Sequence, residues 1–160
     1  MFKFVLQTVV GMFSLALSTL FTWYEGSGII DHPWDWKYST PFSDFLKIKI
    51  VNGYDISQLD YFVYAAKYQP LFPVVMLLSV LYILAVFGYY LIKHQPNLGL
   101  IFWGLISCTM ILFSSFIFNS TTVGGKIFFL FTFTSSFICV AITFFLYFRN
   151  SKLRKTVDVN

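Results

Sequence analysis

The chain reads as an all-α integral membrane protein: a four-transmembrane-helix bundle with a small folded subdomain inserted between its first and second helices. Three observations predict this. Four uncharged apolar stretches run over Phe4–Tyr24, Leu71–Ile92, Leu98–Phe118 and Ile127–Phe148, and none contains Asp, Glu, Lys, Arg or His. Each is about one bilayer thick, since ~30 Å of hydrocarbon at ~1.5 Å rise per residue needs about 20 residues. Hydrophobic residues make up 58% of the 160 positions and charged residues 11%, against roughly 45–50% and about 25% in soluble domains. The third observation is a single long hydrophilic segment, residues 25–70, which exceeds the ~12–15 residues of a plain connection. The length suits one membrane domain with that segment inserted, not two domains.

The first span ends at Trp23-Tyr24, rings that favour the headgroup zone, and Glu25-Gly26-Ser27-Gly28 is expected to break the helix. Lys3 before an apolar run also fits a signal peptide, with Ala16-Leu17-Ser18 as a poor cleavage site. The run reaches Tyr24, long enough to span, so the first helix is expected to stay uncleaved. Pro73 suits the first turn of the second span, where its missing N–H costs little. The short turn Lys93–Asn97 makes the second and third spans antiparallel neighbours, with Asn97 as an N-cap. The turn Asn119–Lys126, loosened by Gly124-Gly125, pairs the third span with the fourth.

Within residues 25–70, Leu46, Ile48 and Ile50 alternate with Lys47 and Lys49, a half-buried strand pattern. Asn52-Gly53 follows, a strong hairpin signal, and Tyr54-Asp55-Ile56 begins the return strand. Trp34–Tyr38 alternates as well and offers a third strand. From Ser57 the period becomes helical. Leu59, Phe62, Val63 and Ala66 share a face, Ser57 with Asp60 resembles a capping box, and the helix ends near Tyr68.

Charge placement predicts orientation. Lys3, Lys93, Arg149, Lys152, Arg154 and Lys155 crowd the short segments on one side. Lys37, Lys47, Lys49, Lys67 and Lys126 are spread over the long segments on the other. The denser side is cytoplasmic, so both termini face in and residues 25–70 are extracytoplasmic. The acids agree: Glu25, Asp31, Asp35, Asp44, Asp55 and Asp60 lie in the first loop and Asp158 lies inside. The net charge of +4 is thus a topology signal, with a minor share for anionic lipid. No nucleic-acid partner is expected.

Chemistry-bearing residues are few. Cys108 and Cys139 fall near mid-membrane at similar depth, without a CxxC or an activating charge, and read as buried apolar thiols; a redox pair is the sharper alternative. His32 and His94 lie on opposite sides, which excludes a two-histidine haem site. His32 with Glu25, Asp31 and Asp35 has permissive ligand types but no metal-site spacing, so no metal or cofactor is expected. Glu25, beside the aromatic belt, suits an ion pair with Lys37, Lys67 or Lys126, or a ligand contact. Trp34, Trp36, Tyr38, Tyr61, Tyr64 and Tyr68 suit either packing or a binding surface. The ligand or partner residues expected are therefore Glu25, Trp34, Trp36 and Tyr61. No charge lies within a span, which counts against an ion-coupled pump.

The order of parts resembles the claudin-like tetraspan topology, with a β-containing first outer loop before three closely connected helices. The claudin cysteine pair is missing after Trp34-Asp35-Trp36, so the likeness is architectural. The stretches Trp23–Ser27, Pro33–Ser39 and Leu59–Phe62 are similar to a family of small Gram-positive membrane proteins of unknown function, over the first through second spans. That resemblance implies no activity.

Three function classes follow. The first is a non-enzymatic, multi-pass membrane protein whose outer subdomain recognises a lipid, an envelope component or a membrane protein, a second copy of this chain included. The second is a bacteriocin or toxin immunity protein. The third is a small membrane enzyme or carrier using Glu25, Asp31 and His32. The first is preferred, because fixing a backbone costs roughly 1–2 kcal/mol per residue and a passive anchor needs no such loop. The orientation is tested by substituted-cysteine labelling in intact cells, with Cys108 and Cys139 replaced by Ala. A cysteine at position 49 is expected to react before permeabilisation and one at position 152 only after it; the reverse order inverts the topology.

Overall fold

In the computed structural model, residues 2–157 are described, with side chains described from Phe2 through Asn150. The four apolar stretches form α1 (Phe2–Gly26), α5 (Leu71–His94), α6 (Pro96–Ile117) and α7 (Val123–Val157). Between them lie α2 (Pro33–Ser39), α3 (Pro41–Phe45) and α4 (Gln58–Tyr68), with 3-10 turns at Ser27–Asp31 and Gly53–Asp55. Four helices are long and apolar enough to cross a membrane. α1, α5 and α7 run past their apolar stretches, whereas α6 starts early, at Pro96, and ends one residue short, at Ile117. Pro96 opens α6 from Gln95, which displaces Asn97 from the expected N-cap into the first turn. Pro73 lies in the first turn of α5, as its chemistry requires. Glu25 and Gly26 complete α1, and a 3-10 turn carries the chain on to Asp31. The 35 residues of α7 reach roughly 52 Å at ~1.5 Å per residue, beyond one hydrocarbon thickness. The side chains of Lys152, Arg154 and Lys155, and Asp158 altogether, fall outside the described residues.

The long helices pack in the order α1, α5, α6, α7. Phe21 stacks on Phe72 at 4.8 Å and Phe4 meets Tyr90 at 5.1 Å, so α1 and α5 run antiparallel along their length. Trp103 and Ile106 of α6 bury Cys139 and Leu146 of α7. Val74 and Leu77 of α5 meet Phe128 of α7. The Ser14 and Ser79 hydroxyls, 2.8 Å apart, tie α1 to α5. Other span hydroxyls, such as Thr8, Thr19 and Thr143, donate to carbonyls four residues back in their own helices. That local pairing satisfies them where no water is available.

Residues 25–70 fold without the expected β-hairpin: among the described residues there is no strand. Three local interactions explain the difference. Pro33 starts α2, so Trp34–Tyr38 is helical rather than extended. Pro41 starts α3, whose end takes up the Leu46–Ile48 backbone: Lys47 N–H donates to Asp44 O at 3.1 Å and Ile48 N–H to Ser43 O at 2.9 Å. This is a Schellman closure, with Lys47 in the left-handed conformation at φ 55° where glycine is usual. Asn52-Gly53 does not turn a hairpin, because the Asp55 carboxylate accepts the N–H groups of Val51 at 3.0 Å and Asn52 at 2.8 Å. Asn52 stays extended at φ −126°, and Gly53 has no positive φ to offer a type I′ turn. Those two hydrogen bonds hold the Asp55 carboxyl below the usual carboxylate range. With no β-containing loop, the claudin-like likeness is reduced to helix order.

The helix after Ser57 is present, with Ser57 at its N-cap. Its buried face is Asp60, Tyr61, Tyr64 and Ala65, not the Leu59–Phe62–Val63–Ala66 face that hydropathy selects. The reason is Asp60. Instead of reaching back to Ser57, its fully buried carboxylate accepts Phe42 N–H at 2.8 Å, Ser43 N–H at 2.9 Å and the Ser43 hydroxyl at 2.6 Å. The Ser43 hydroxyl accepts the Ser57 N–H at 2.9 Å. Asp60 thus satisfies free N–H groups of α3 and ties it to α4.

Two glycines let α4 lie across the end of the bundle. A Cβ on Gly26 would fall 2.0 Å from Tyr61 O, and one on Gly124 would fall 2.3 Å from Lys67 O. The α4 backbone therefore rests on the end of α1 at one point and on the start of α7 at another. Asp60→Ala strands three donors, two of them buried, and is expected to cost roughly 3 kcal/mol. Asp60→Asn should also destabilise, since an amide NH₂ in place of either oxygen faces a donor. Thermal unfolding in micelles checks both; a wild-type Tm for either substitution refutes this role for Asp60.

Candidate functional site

The four residues expected to bind a partner part company in the structure. Trp36 is half-buried against the subdomain core of Ile29, Ile56, Tyr61 and Tyr64, and its indole Nε1–H donates to Ile29 O at 2.8 Å. Tyr61 is buried, with its ring 6.4 Å from that of Trp23. These two hold the subdomain together. Trp34, two residues before Trp36 and so on the opposite face of α2, is 91% exposed and is not among the side chains packed on that core. Glu25 stands apart from all three.

Glu25 closes the last turn of α1 and is half-buried. Its Oε2 is shielded from solvent and has no hydrogen-bond partner. The expected ion pair with Lys67 is not made: the Lys67 ammonium donates instead to Tyr38 O. Burial pulls the Lys67 pKa below the ordinary lysine range, against the pull of the nearby Asp35 charge. Asp35 in turn accepts the Tyr68 hydroxyl at 3.0 Å. Burial first, and then that bond, push the Tyr68 pKa up.

Glu25 lines a cleft of about 430 Å³ together with Gln69, Pro70, Leu71, Val74, Val75, Ile127 and Phe131. The cleft lies where α1, the α4–α5 joint and α7 meet, just beside the strap formed by α4. One carboxylate and one amide stand over walls that are otherwise hydrocarbon. Such a site suits a molecule with a hydrogen-bond-donating head and an apolar body. Gln69, Ile127 and Phe131 were not foreseen. Nothing in the sequence marks them, since a Gln-Pro joint and two span residues have no pattern of their own.

The other groupings that the sequence offers as alternatives do not converge. Among the described residues no cluster of three His, Cys, Asp or Glu side chains stands ready for a metal. The His32 ring lies 6.3 Å from that of Tyr64. Cys139 is buried against α6, whereas Cys108 is exposed, and both are free thiols.

Residues 5–92 match a family described as a domain of unknown function, DUF4306. The chain belongs to this family. The match runs through α1, the inserted subdomain and nearly all of α5, so it contains Glu25 and the α4–α5 side of the cleft but not Ile127 or Phe131. An uncharacterised protein of Bacillus subtilis (strain 168), YjdJ, is 40% identical over 70 residues, covering 39% of this chain. The chain spans 60% of the length of that relative. No solved structure matches.

The division between packing and exposed tryptophans is open to test. Trp36→Ala removes a packed indole and its hydrogen bond and is expected to cost about 2 kcal/mol or more. Trp34→Ala is expected to change stability by less than about 0.5 kcal/mol. Thermal melts of the two variants in the same detergent decide it, and equal melting temperatures contradict the assignment.

Proposed function

We propose that this protein is a non-enzymatic, multi-pass protein of the cell membrane that recognises an amphiphile at the Glu25 cleft. Both termini are cytoplasmic in this reading, and residues 25–70 form the extracytoplasmic rim of the site. The carrying observation is the shielded Glu25 Oε2, which has no partner. A carboxylate over hydrocarbon walls lacks the donors that bulk water gives it, and a ligand head that supplies one, met by rotation of the Glu25 side chain, is favoured there. An ammonium or hydroxyl head suits Glu25, while Val74, Val75, Ile127 and Phe131 take up hydrocarbon. The cleft offers one carboxylate, one amide and hydrocarbon walls, a set suited to holding a ligand.

The test compares two zwitterionic lipids with the same net charge. Phosphatidylethanolamine has an ammonium that donates hydrogen bonds; phosphatidylcholine has a quaternary nitrogen that does not. Full-length protein in micelles doped with either lipid is expected to retain phosphatidylethanolamine preferentially by native mass spectrometry. Glu25→Gln keeps an acceptor but removes the charge, and should weaken retention about tenfold, the difference between charge-assisted and neutral bonds. Val75→Trp fills the cleft and should abolish the preference. Trp34→Ala, away from the cleft, should leave it intact. Indistinguishable lipids, or a Val75→Trp variant that binds as wild type, overturn the proposal; a preference lost in Trp34→Ala moves recognition to the exposed face of α2.

A further inference from the structure

The opposite end of the molecule carries a second cleft, of about 980 Å³, between the start of α1 and the end of α5. Lys3, Lys93 and His94 stand at its mouth, with Gln7 and the ring-bearing Tyr89 and Tyr90 beside them. The rest of its lining is largely apolar and includes Phe4, Val5 and Val86. Among the described residues no acid lines it.

We infer that this cleft binds the phosphoryl headgroup of an anionic phospholipid, with the acyl chains lying against α1 and α5. The placement of Lys3 is the telling feature. Lys93 and His94 lie in the last turn of α5, where cations are favoured by the helix dipole and need no ligand. Lys3 lies in the first turn of α1, where the dipole disfavours a cation, yet it shares the cleft with the other two. The α1 N-terminus adds its own positive end to the same space, an arrangement suited to an anion. The His94 ring stacks on Tyr90 at 4.2 Å, with Nδ1 3.0 Å from Tyr90 O, so its orientation is fixed and Nε2 is left free of that contact. Phe4 packs on the Tyr90 ring at 5.1 Å, and both rings line the cleft. Free phosphate would satisfy the cations but not the walls. Those walls belong to helices apolar enough to lie in hydrocarbon, which favours a lipid as the source of the phosphoryl group.

This inference is independent of the Glu25 cleft and is tested separately. Full-length protein in micelles is titrated with dioleoylphosphatidylglycerol, with dioleoylphosphatidylcholine and with inorganic phosphate, followed by native mass spectrometry. Phosphatidylglycerol is expected to bind at least about tenfold more tightly than phosphatidylcholine. The double variant Lys3→Gln/Lys93→Gln should lose roughly 30-fold in phosphatidylglycerol affinity, at about 1 kcal/mol per lysine. Both side chains are exposed, so the fold should survive. Lys47→Gln/Lys49→Gln makes the same change in net charge on the subdomain and should bind as wild type. Val86→Trp keeps every cation, fills the cleft, and should also lose the lipid. The inference fails if the preference survives in Lys3→Gln/Lys93→Gln or in Val86→Trp, or if the subdomain control loses it equally, which would mean diffuse charge. Inorganic phosphate displacing phosphatidylglycerol at equal concentration would make this a free-phosphate site and overturn the lipid assignment.

Discussion

Everything at the subdomain end depends on the close passage of α4 over the bundle. An eleven-residue amphipathic helix is marginal on its own in water, so it must be held by tertiary contacts. Here its backbone comes so near α1 and α7 that only Gly26 and Gly124 fit beneath it. The two contact points, near Tyr61 and Lys67, are about 9 Å apart along the helix at ~1.5 Å per residue. In the row α1, α5, α6, α7, the strap joins the first helix to the last. The bundle thereby gains a cross-link that its own loops do not supply, and the Glu25 cleft lies in the angle the strap makes with α5.

The strap also organises the rest of the insert, through polar contacts more than apolar area. The subdomain core is small, built on Ile29, Ile56, Tyr61 and Tyr64. So few buried side chains cannot alone offset the ordering of a long segment. Hydrogen bonds to charged groups are stronger than neutral ones, and the insert uses them at each joint. Asp60 ties α3 to α4, Asp55 closes the 51–55 turn, and Asp35 meets Tyr68. Acids that count toward topology in the sequence, with Asp60 expected to cap its own helix and Asp55 to open a return strand, are thus the fasteners of the loop. Lys67, given over to Tyr38 O, belongs to the same set and so is not available to neutralise Glu25.

The spans were legible because hydropathy over a bilayer thickness leaves little choice: hydrocarbon admits no unpaired backbone, and a helix is the local solution. Helical periodicity also disclosed α4, and Ser57 its start. The Leu46–Ile50 alternation and Asn52-Gly53 pointed to strands, and the structure replaced both. Period-two alternation over a few residues is a weak signal, and here Pro41 and Asp55 decide the backbone by local hydrogen bonding. The direction of Asp60 was not legible, since its donors lie 17 and 18 residues away. Of the residues lining the candidate cleft, Glu25 was legible from its depth beside Trp23-Tyr24. Trp34 and Trp36 are indistinguishable by type and spacing; only the fold shows which one faces inward.

A chain with no charge inside its spans has only its two interfaces in which to place specific chemistry. A charge deep in hydrocarbon is costly, and one in bulk water is screened within ~8 Å at physiological salt. At the rim of a bundle a charge meets neither extreme and retains much of its pull on a ligand. The molecule shows the two signs at its two ends: a lone carboxylate over an apolar cleft beside α4, and lysines over an apolar cleft where α1 meets the end of α5. Each cleft couples one sign of charge to hydrocarbon walls, the pairing that distinguishes an amphiphile from a soluble ion. The acidic cleft is shaped by the inserted subdomain, whereas the basic one is formed by the spans and their ends alone. Loss of the insert's fastening acids should therefore disturb the first cleft and spare the second, because α1 and α5 also pack along their length, joined near the middle by Ser14 and Ser79.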